Sequence, residues 1–155
     1  MRIGFGFDVH QLVEGTPFTL GGVMISHHKG AIGHSDADTL IHAICDALLG
    51  AANMGDIGLH FPDSDTTLKG IDSTILLQKV IHIISQKGYK IVNIDSTVCL
   101  QKRKLRPYIP QMQEILAKTM HISVENISIK ATTTEKMGFT GREEGVSAYA
   151  VVLLE

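Results

Sequence analysis

At 155 residues, with 44% hydrophobic and 19% charged positions, the chain has the length of one domain, 1–155, and enough apolar side chain for a sizeable core. That excludes a disulfide-stapled miniprotein and a disordered tail. A net charge of −2 provides no global attraction to nucleic acid or anionic lipid, so any anionic ligand has to be held locally.

Cys45 and Cys99 lack CxxC spacing and sit in apolar runs, as reduced thiols of a cytoplasmic protein would. Neither export nor membrane insertion is expected: no basic segment leads into an apolar one at Met1, and no run approaches the ~18 apolar residues of a span.

Residues 2 to 10 alternate, with Ile3, Phe5, Phe7 and Val9 on one side and Arg2, Gly4, Gly6, Asp8 and His10 on the other, the period of a half-buried strand. A hairpin is expected over Phe18–Leu20 and Val23–Ser26, turning at Gly21-Gly22. Ser35, with Asp38 three residues on, reads as the N-cap of a helix over Ala37–Ala52. From Asn53 to Gly70 the periodicity lapses into a long loop suited to a binding segment or lid. A second helix is expected over Ser73–Lys87, closing at Gly88, and a third near Ile109–Met120. Strands follow the periodicity at Tyr89–Gln101, Asn126–Thr132 and Val146–Leu154.

Six of eight histidines fall in the first sixty positions, which invites a metal reading that spacing must decide. In Asp8-Val9-His10 the middle residue points away, so carboxylate and imidazole converge from one strand. His42, on the polar side of the first helix, is the natural third ligand, and three N/O ligands leave a tetrahedral zinc one open corner for substrate. Taken alone, an Asp-x-His triplet more often decorates an edge strand. Asp46, a turn beyond, has the geometry to orient His42, although an exposed aspartate is the commoner meaning of such a position. His27 and His28 read as surface residues.

Ala131 to Arg142 concentrates hydroxyls, glycines and a cation, groups that grip phosphate oxygens, with Glu135 suited to a hard divalent ion; a polar hairpin loop is the plainer meaning. The run from Gln101 to Pro107 holds four cations in five residues without interleaved aromatics, which fits a solvated loop or local phosphate clamp better than a nucleic-acid patch.

Together, Asp8-Val9-His10, His34-Ser35-Asp36, His42, Gly55-Asp56-Ile57-Gly58, Phe61-Pro62-Asp63, Lys69-Gly70, Ile109-Pro110-Gln111-Met112, Lys130 to Lys136 and Gly138 to Arg142 resemble the 2-C-methyl-D-erythritol 2,4-cyclodiphosphate synthases of non-mevalonate isoprenoid biosynthesis. The resemblance spans the whole chain. It implies an α/β (α+β) sandwich, a mixed β-sheet with helices packed on one face, assembled as a homotrimer with active sites between subunits. It also implies a cytidine diphosphate-linked substrate, whose 2-phosphate attacks the β-phosphorus to release CMP.

By that resemblance Asp8, His10 and His42 carry Zn2+, and Glu135 carries Mg2+ or Mn2+. His34 and Thr133 stabilise the transition state, with Ser35 beside the substrate. Asp56, Gly58, Phe61 and Asp63 take the methylerythritol part, and Ile57, Pro62, Ser64 and Asp65 belong to the same substrate segment. Leu100, Gln101, Lys102, Arg103, Lys104, Leu105, Arg106 and Thr132 take the cytidine and diphosphate, with Thr134, Phe139 and Arg142 nearby. Lys102-Arg103 replace a small-residue and proline pair common in this loop. Tyr149 stands where some members carry an acidic residue in the channel that holds an isoprenoid diphosphate, so that binding is not implied here. Another metal-dependent phosphotransferase or phosphohydrolase, or a non-catalytic nucleotide or metal-binding module, would use similar groups.

Overall fold

The computed structural model describes residues 1–155. Its strands are β1 (Arg2–Glu14), β2 (Thr19–Leu20), β3 (Val23–Met24), β4 (Lys29–Ile32), β5 (Ile91–Cys99), β6 (Ile127–Thr132) and β7 (Gly145–Leu154). The helices are α1 (Thr39–Ala51), α2 (Ile57–His60), α3 (Ser73–Gln86), α4 (Ile109–Met120) and α5 (Gly138–Gly141). Five strands form a mixed sheet in the order β4-β1-β7-β5-β6, and β2 pairs with β3 as a separate hairpin. All sheet pairings are antiparallel except β5 with β6, whose crossover is α4. The expected α+β class therefore stands, with α1 on β1 and β7, α4 on β6, and α3 against both helices. No helix is long and apolar enough to cross a membrane.

The alternation of β1 is real, but its buried side is the glycine side. A Cβ on Gly4 would lie 1.8 Å from the Ala47 carbonyl oxygen, and one on Gly6 would lie 1.9 Å from that of Ala43, so only glycine admits α1 this close. Ile3 and Phe5 on the other side are 74% and 62% exposed and join Phe7, Val9, Tyr149 and Val151 in an apolar stripe that no helix covers. Beneath the helices, Leu40, Ile41, Ile44 and Leu48 of α1 meet Leu77, Val80 and Ile84 of α3, Met112 and Leu116 of α4, and Val146, Ala148, Ala150 and Val152 of β7 in one core.

Three expectations change. The cap of α1 is Asp38, not Ser35: its Oδ1 accepts from Ile41 N at 3.0 Å, so the helix begins at Thr39. The same buried carboxylate accepts from Gly21 N at 2.9 Å and Gly22 N at 2.7 Å, satisfying turn amides that would otherwise be orphaned. Strand β1 continues past His10 to Glu14 because β4, which has no alternation of its own, pairs with Gln11–Glu14. The Asn53–Gly70 stretch contains α2 and a 3₁₀ turn at Thr66–Leu68, capped by Asp56 and Asp65. Short α5 also escaped the periodicity, since four residues make barely one turn.

Replacing Gly6 by Ala forces α1 away from β1. The variant is expected to lower the midpoint of chemical unfolding by the equivalent of about 1–3 kcal/mol, whereas Gly50→Ala, which meets no atom within 4 Å, should not.

Candidate active site

Asp8 and His10 project from the glycine side of β1, and His42 descends from α1 beside Ala43, whose carbonyl Gly6 approaches. Close strand–helix packing therefore sets the gap that these side chains span. Asp8 Oδ2 lies 3.0 Å from His10 Nε2 and 3.2 Å from His42 Nδ1, and the two ring nitrogens are 3.1 Å apart. No other group of three or more His, Cys, Asp or Glu side chains converges in this way. The donors match zinc chemistry, one carboxylate oxygen and two imidazole nitrogens at mutual distances that a single ion can bridge. His42, read as a polar-side residue, is only 12% exposed at its side chain and faces this cleft rather than solvent.

Burial works to raise the Asp8 carboxyl, but hydrogen bonds and charge from His10 and His42 win and hold it well below the usual carboxylate range. Desolvation opposes protonation of His10, yet the hydrogen bond and charge of Asp8, with the Ile32 carbonyl, raise it above its ordinary value. His10 Nδ1 donates to that carbonyl at 3.0 Å, which leaves Nε2 for the centre. Asp46 neither orients His42 nor sits free in solvent: its Oδ1 accepts from Ile57 N at 2.8 Å and ties α1 to the start of α2. Burial pushes its carboxyl up, opposed by that bond.

A hollow of about 320 Å³ opens over the centre. Of the substrate residues implied by resemblance, His34, Ser35, Ile57, Gly58, Phe61 and Asp63 line it with Asp8, His10 and His42. Asp56, Pro62, Ser64 and Asp65 do not: Asp56 accepts from Leu59 N and Asp65 from Thr67 N as caps, while the Asp65 carbonyl lies 3.1 Å from His34 Nε2.

A second hollow, about 490 Å³, lies beyond the carboxyl ends of parallel β5 and β6, where open α/β sheets commonly take ligands. Leu100, Gln101, Lys102, Arg103, Lys104, Leu105, Arg106, Thr132 and Thr133 line it with Ala131. Leu100 and Leu105 are buried and pin the loop at both ends. The two hollows share no residue, so His34 and Thr133 stand in different ones.

Thr134, Glu135, Phe139 and Arg142 lie outside both hollows. Thr133 Oγ1 donates to Glu135 Oε1 at 2.9 Å, and Arg142 grips Glu144 through two bonds of 3.0 and 2.9 Å. Lys102 pairs with Glu143 at 2.9 Å, a partner that sequence spacing gave no means of finding. His28 is exposed as expected, but His27 is half-buried between Phe18 and His28, which lowers its pKa by desolvation. Two residues named in the sequence only as a helix start and as part of a motif also belong to the site: Ser73, whose Oγ is 3.0 Å from His42 Nε2, and Asp36, which accepts the Ser73 hydroxyl. At the head of a helix a serine advertises only a cap.

The chain is similar to known proteins along its whole length. The 2-C-methyl-D-erythritol 2,4-cyclodiphosphate synthase of Bacteroides fragilis is 63% identical over 154 residues, 99% of this chain and 97% of the relative. A solved 2C-methyl-D-erythritol-2,4-cyclodiphosphate synthase in its CDP-bound form superposes with a TM-score of 0.92 at 36% identity, covering 99% of this chain and all of that one. The bifunctional IspDF of Campylobacter jejuni superposes with a TM-score of 0.95 at 42% identity, over 99% of this chain but only 42% of that longer protein. The model of the YgbB family matches residues 1–155, and the chain belongs to that family.

Proposed function

We propose that this chain is the enzyme its relatives are named for, converting 4-diphosphocytidyl-2-C-methyl-D-erythritol 2-phosphate into the 2,4-cyclodiphosphate and CMP in non-mevalonate isoprenoid biosynthesis. The observation that carries the reading is the convergence of Asp8, His10 and His42 on one point at the floor of an open hollow. By product it is a phosphorus–oxygen lyase, a single catalytic domain working in the cytoplasm.

An oxygen of the 2-phosphate forms the new bond to the β-phosphorus as the bond to the bridging oxygen breaks, and that oxygen leaves on CMP. The attacking oxygen is already ionised, so no general base is needed, and none of the Ser-His-Asp kind is required of the chain. Its work is alignment and charge. Zn2+ held by Asp8, His10 and His42, and Mg2+ or Mn2+ held by Glu135 with substrate oxygens, would offset the repulsion between phosphates. His34 and Thr133 supply donors to charge that grows as the ring closes, which raises the rate rather than the affinity alone. Segment 56–65 holds the methylerythritol part, and loop 100–106, with the Lys104 and Arg106 cations, holds the cytidine diphosphate.

Such a substrate has to touch both hollows, which share no lining residue within one chain. A homotrimer supplies the second hollow from a neighbouring subunit, and the apolar stripe of β1 and β7 is the surface such assembly would cover.

Three measurements test the reading. Phosphorus NMR of the purified protein with the cytidyl substrate and both metals should show cyclic diphosphate and CMP; open-chain bisphosphate with CMP would mean that water is the nucleophile. His42→Ala should purify with substoichiometric zinc and little activity while His28→Ala keeps its zinc, and Glu135→Gln should keep zinc but lose its dependence on Mg2+ or Mn2+. In light scattering, Phe7→Glu should yield inactive single chains where the wild type runs as a trimer, and an active monomer would refute the shared site.

A further inference from the structure

The geometry points to Ser73 and Asp36 as positioning residues that fix the tautomer of His42 and so aim its Nδ1 lone pair at the metal centre. The inference rests on the zinc reading proposed above. His42 has two ring nitrogens with opposite duties: Nδ1 faces Asp8 and His10, while Nε2 lies 3.0 Å from Ser73 Oγ and 3.0 Å from Ser35 Oγ. A neutral imidazole binds a metal through Nδ1 only when its proton is on Nε2.

Proton counting assigns the direction of each bond. Asp36 has only donors around it: Ser73 N reaches Oδ2 at 3.1 Å, Asp38 N reaches Oδ1 at 3.3 Å, and the Ser73 hydroxyl donates to Oδ1. An ionised carboxylate accepts and never donates, so the single Ser73 proton is committed to it. Ser73 Oγ is then left to accept, and the nearest donors to it are His42 Nε2–H at 3.0 Å and the Ser35 hydroxyl at 3.4 Å. Ser35 Oγ accepts from Ala37 N at 3.2 Å and, with the Ser73 proton committed to Asp36, can give its own proton only toward Ser73 Oγ at 3.4 Å when it shares the imidazole N–H.

The result is a one-way relay, His42 Nε2–H to Ser73 Oγ–H to the Asp36 carboxylate. It is built rigidly. Ser73 is fully buried as the first residue of α3, and Asp36 is tethered by its own N–H to the Ile71 carbonyl at 3.0 Å. The relay also has an opponent: Asp8 Oδ2, 3.2 Å from Nδ1, draws the ring proton toward the side where the metal belongs. The charge of Asp36, delivered through Ser73, is the counterweight. His10 meets the same need with one backbone carbonyl, because its Nδ1 already faces the oxygen of Ile32.

The test is zinc affinity by chelator competition in the wild type, Ser73→Ala, Ser73→Thr and Asp36→Asn, with folding checked by circular dichroism and histidine rings followed by 15N NMR in the zinc-loaded protein. Ser73→Ala should weaken zinc roughly 10- to 100-fold, the usual cost of losing a hydrogen-bond partner behind a ligand, and Ser73→Thr should restore most of it. Asp36→Asn should weaken it similarly despite its matching shape, since an amide can donate to Ser73 and reverse the relay. In the wild type, His42 should show a hydrogen-bonded Nε2–H protected from exchange, a signal that a merely structural role would not produce. Folded Ser73→Ala and Asp36→Asn variants with wild-type zinc affinity would overturn the relay alone, as would an unprotected His42 Nε2–H. That spectrum comes from the wild type, so it decides the matter even if a variant fails to fold. A wild-type chain that takes up no zinc would instead bring down the functional reading on which the relay stands.

Discussion

The approach of α1 to the glycine face of β1 is the constraint from which the rest of the site follows. Gly4 and Gly6 let the backbone carbonyls of Ala47 and Ala43 come to where a side chain would otherwise begin. Helix and strand then lie closer than ordinary packing permits, and the next two residues on that face, Asp8 and His10, are short enough to need it. A carboxylate on a single methylene reaches His42 only because the helix is this near. The small residues of α1 that face the strand, Ala43 and Ala47, belong to the same device, and larger ones would undo what the glycines allow. Packing and chemistry are thus one property of one interface, with the bulky apolar residues of β1 displaced to the opposite side of the sheet.

That displacement accounts for an open apolar stripe on an otherwise well-covered domain. On the same side of β5 and β6 the sheet turns polar, with Asp95 and Lys130 joined at 2.6 Å, so the uncovered face divides into an apolar half and a charged half. An interface between copies would take the first half and leave the second accessible. The two hollows likewise share no lining residue within a chain, so a ligand gripped by both would draw on two separate sets of groups.

Much of this was legible in the sequence, and the failures have physical causes. The convergence of Asp8 and His10 follows from the two-residue period of a strand, which no tertiary context alters. α4 falls at the expected residues because Pro110 and a strong apolar face delimit it. Ser35 was misread because Asp38 has a stronger claim to the cap: its carboxylate serves the Ile41 amide and two turn amides from a hairpin distant in sequence. Local patterns do not report such long-range debts. β4 went unseen because Lys29-Gly30-Ala31-Ile32 is made a strand by its neighbour and not by its own alternation. Which face of β1 is buried was equally hidden, since hydrophobicity points toward Phe5 and Phe7 and only the helix that lands on the glycines decides otherwise.

Asp8, His10 and His42 also balance charge among themselves, and that balance depends on pH. Two like-natured donors and a carboxylate at 3.0–3.2 Å would repel through their lone pairs unless something positive lay between them. A proton serves. Asp8 is held ionised far into acid, and the contribution of its lowered pKa is present above the unfolded carboxylate range and lost as pH falls through the folded one. His10 is raised, and its contribution is complete at low pH and lost as pH rises through its folded value. Between those limits the pair is a charged hydrogen bond that keeps the ligands in register. A divalent cation held by Asp8, His10 and His42 would supply positive charge there without the proton, and would leave His42 free to keep a proton on Nε2.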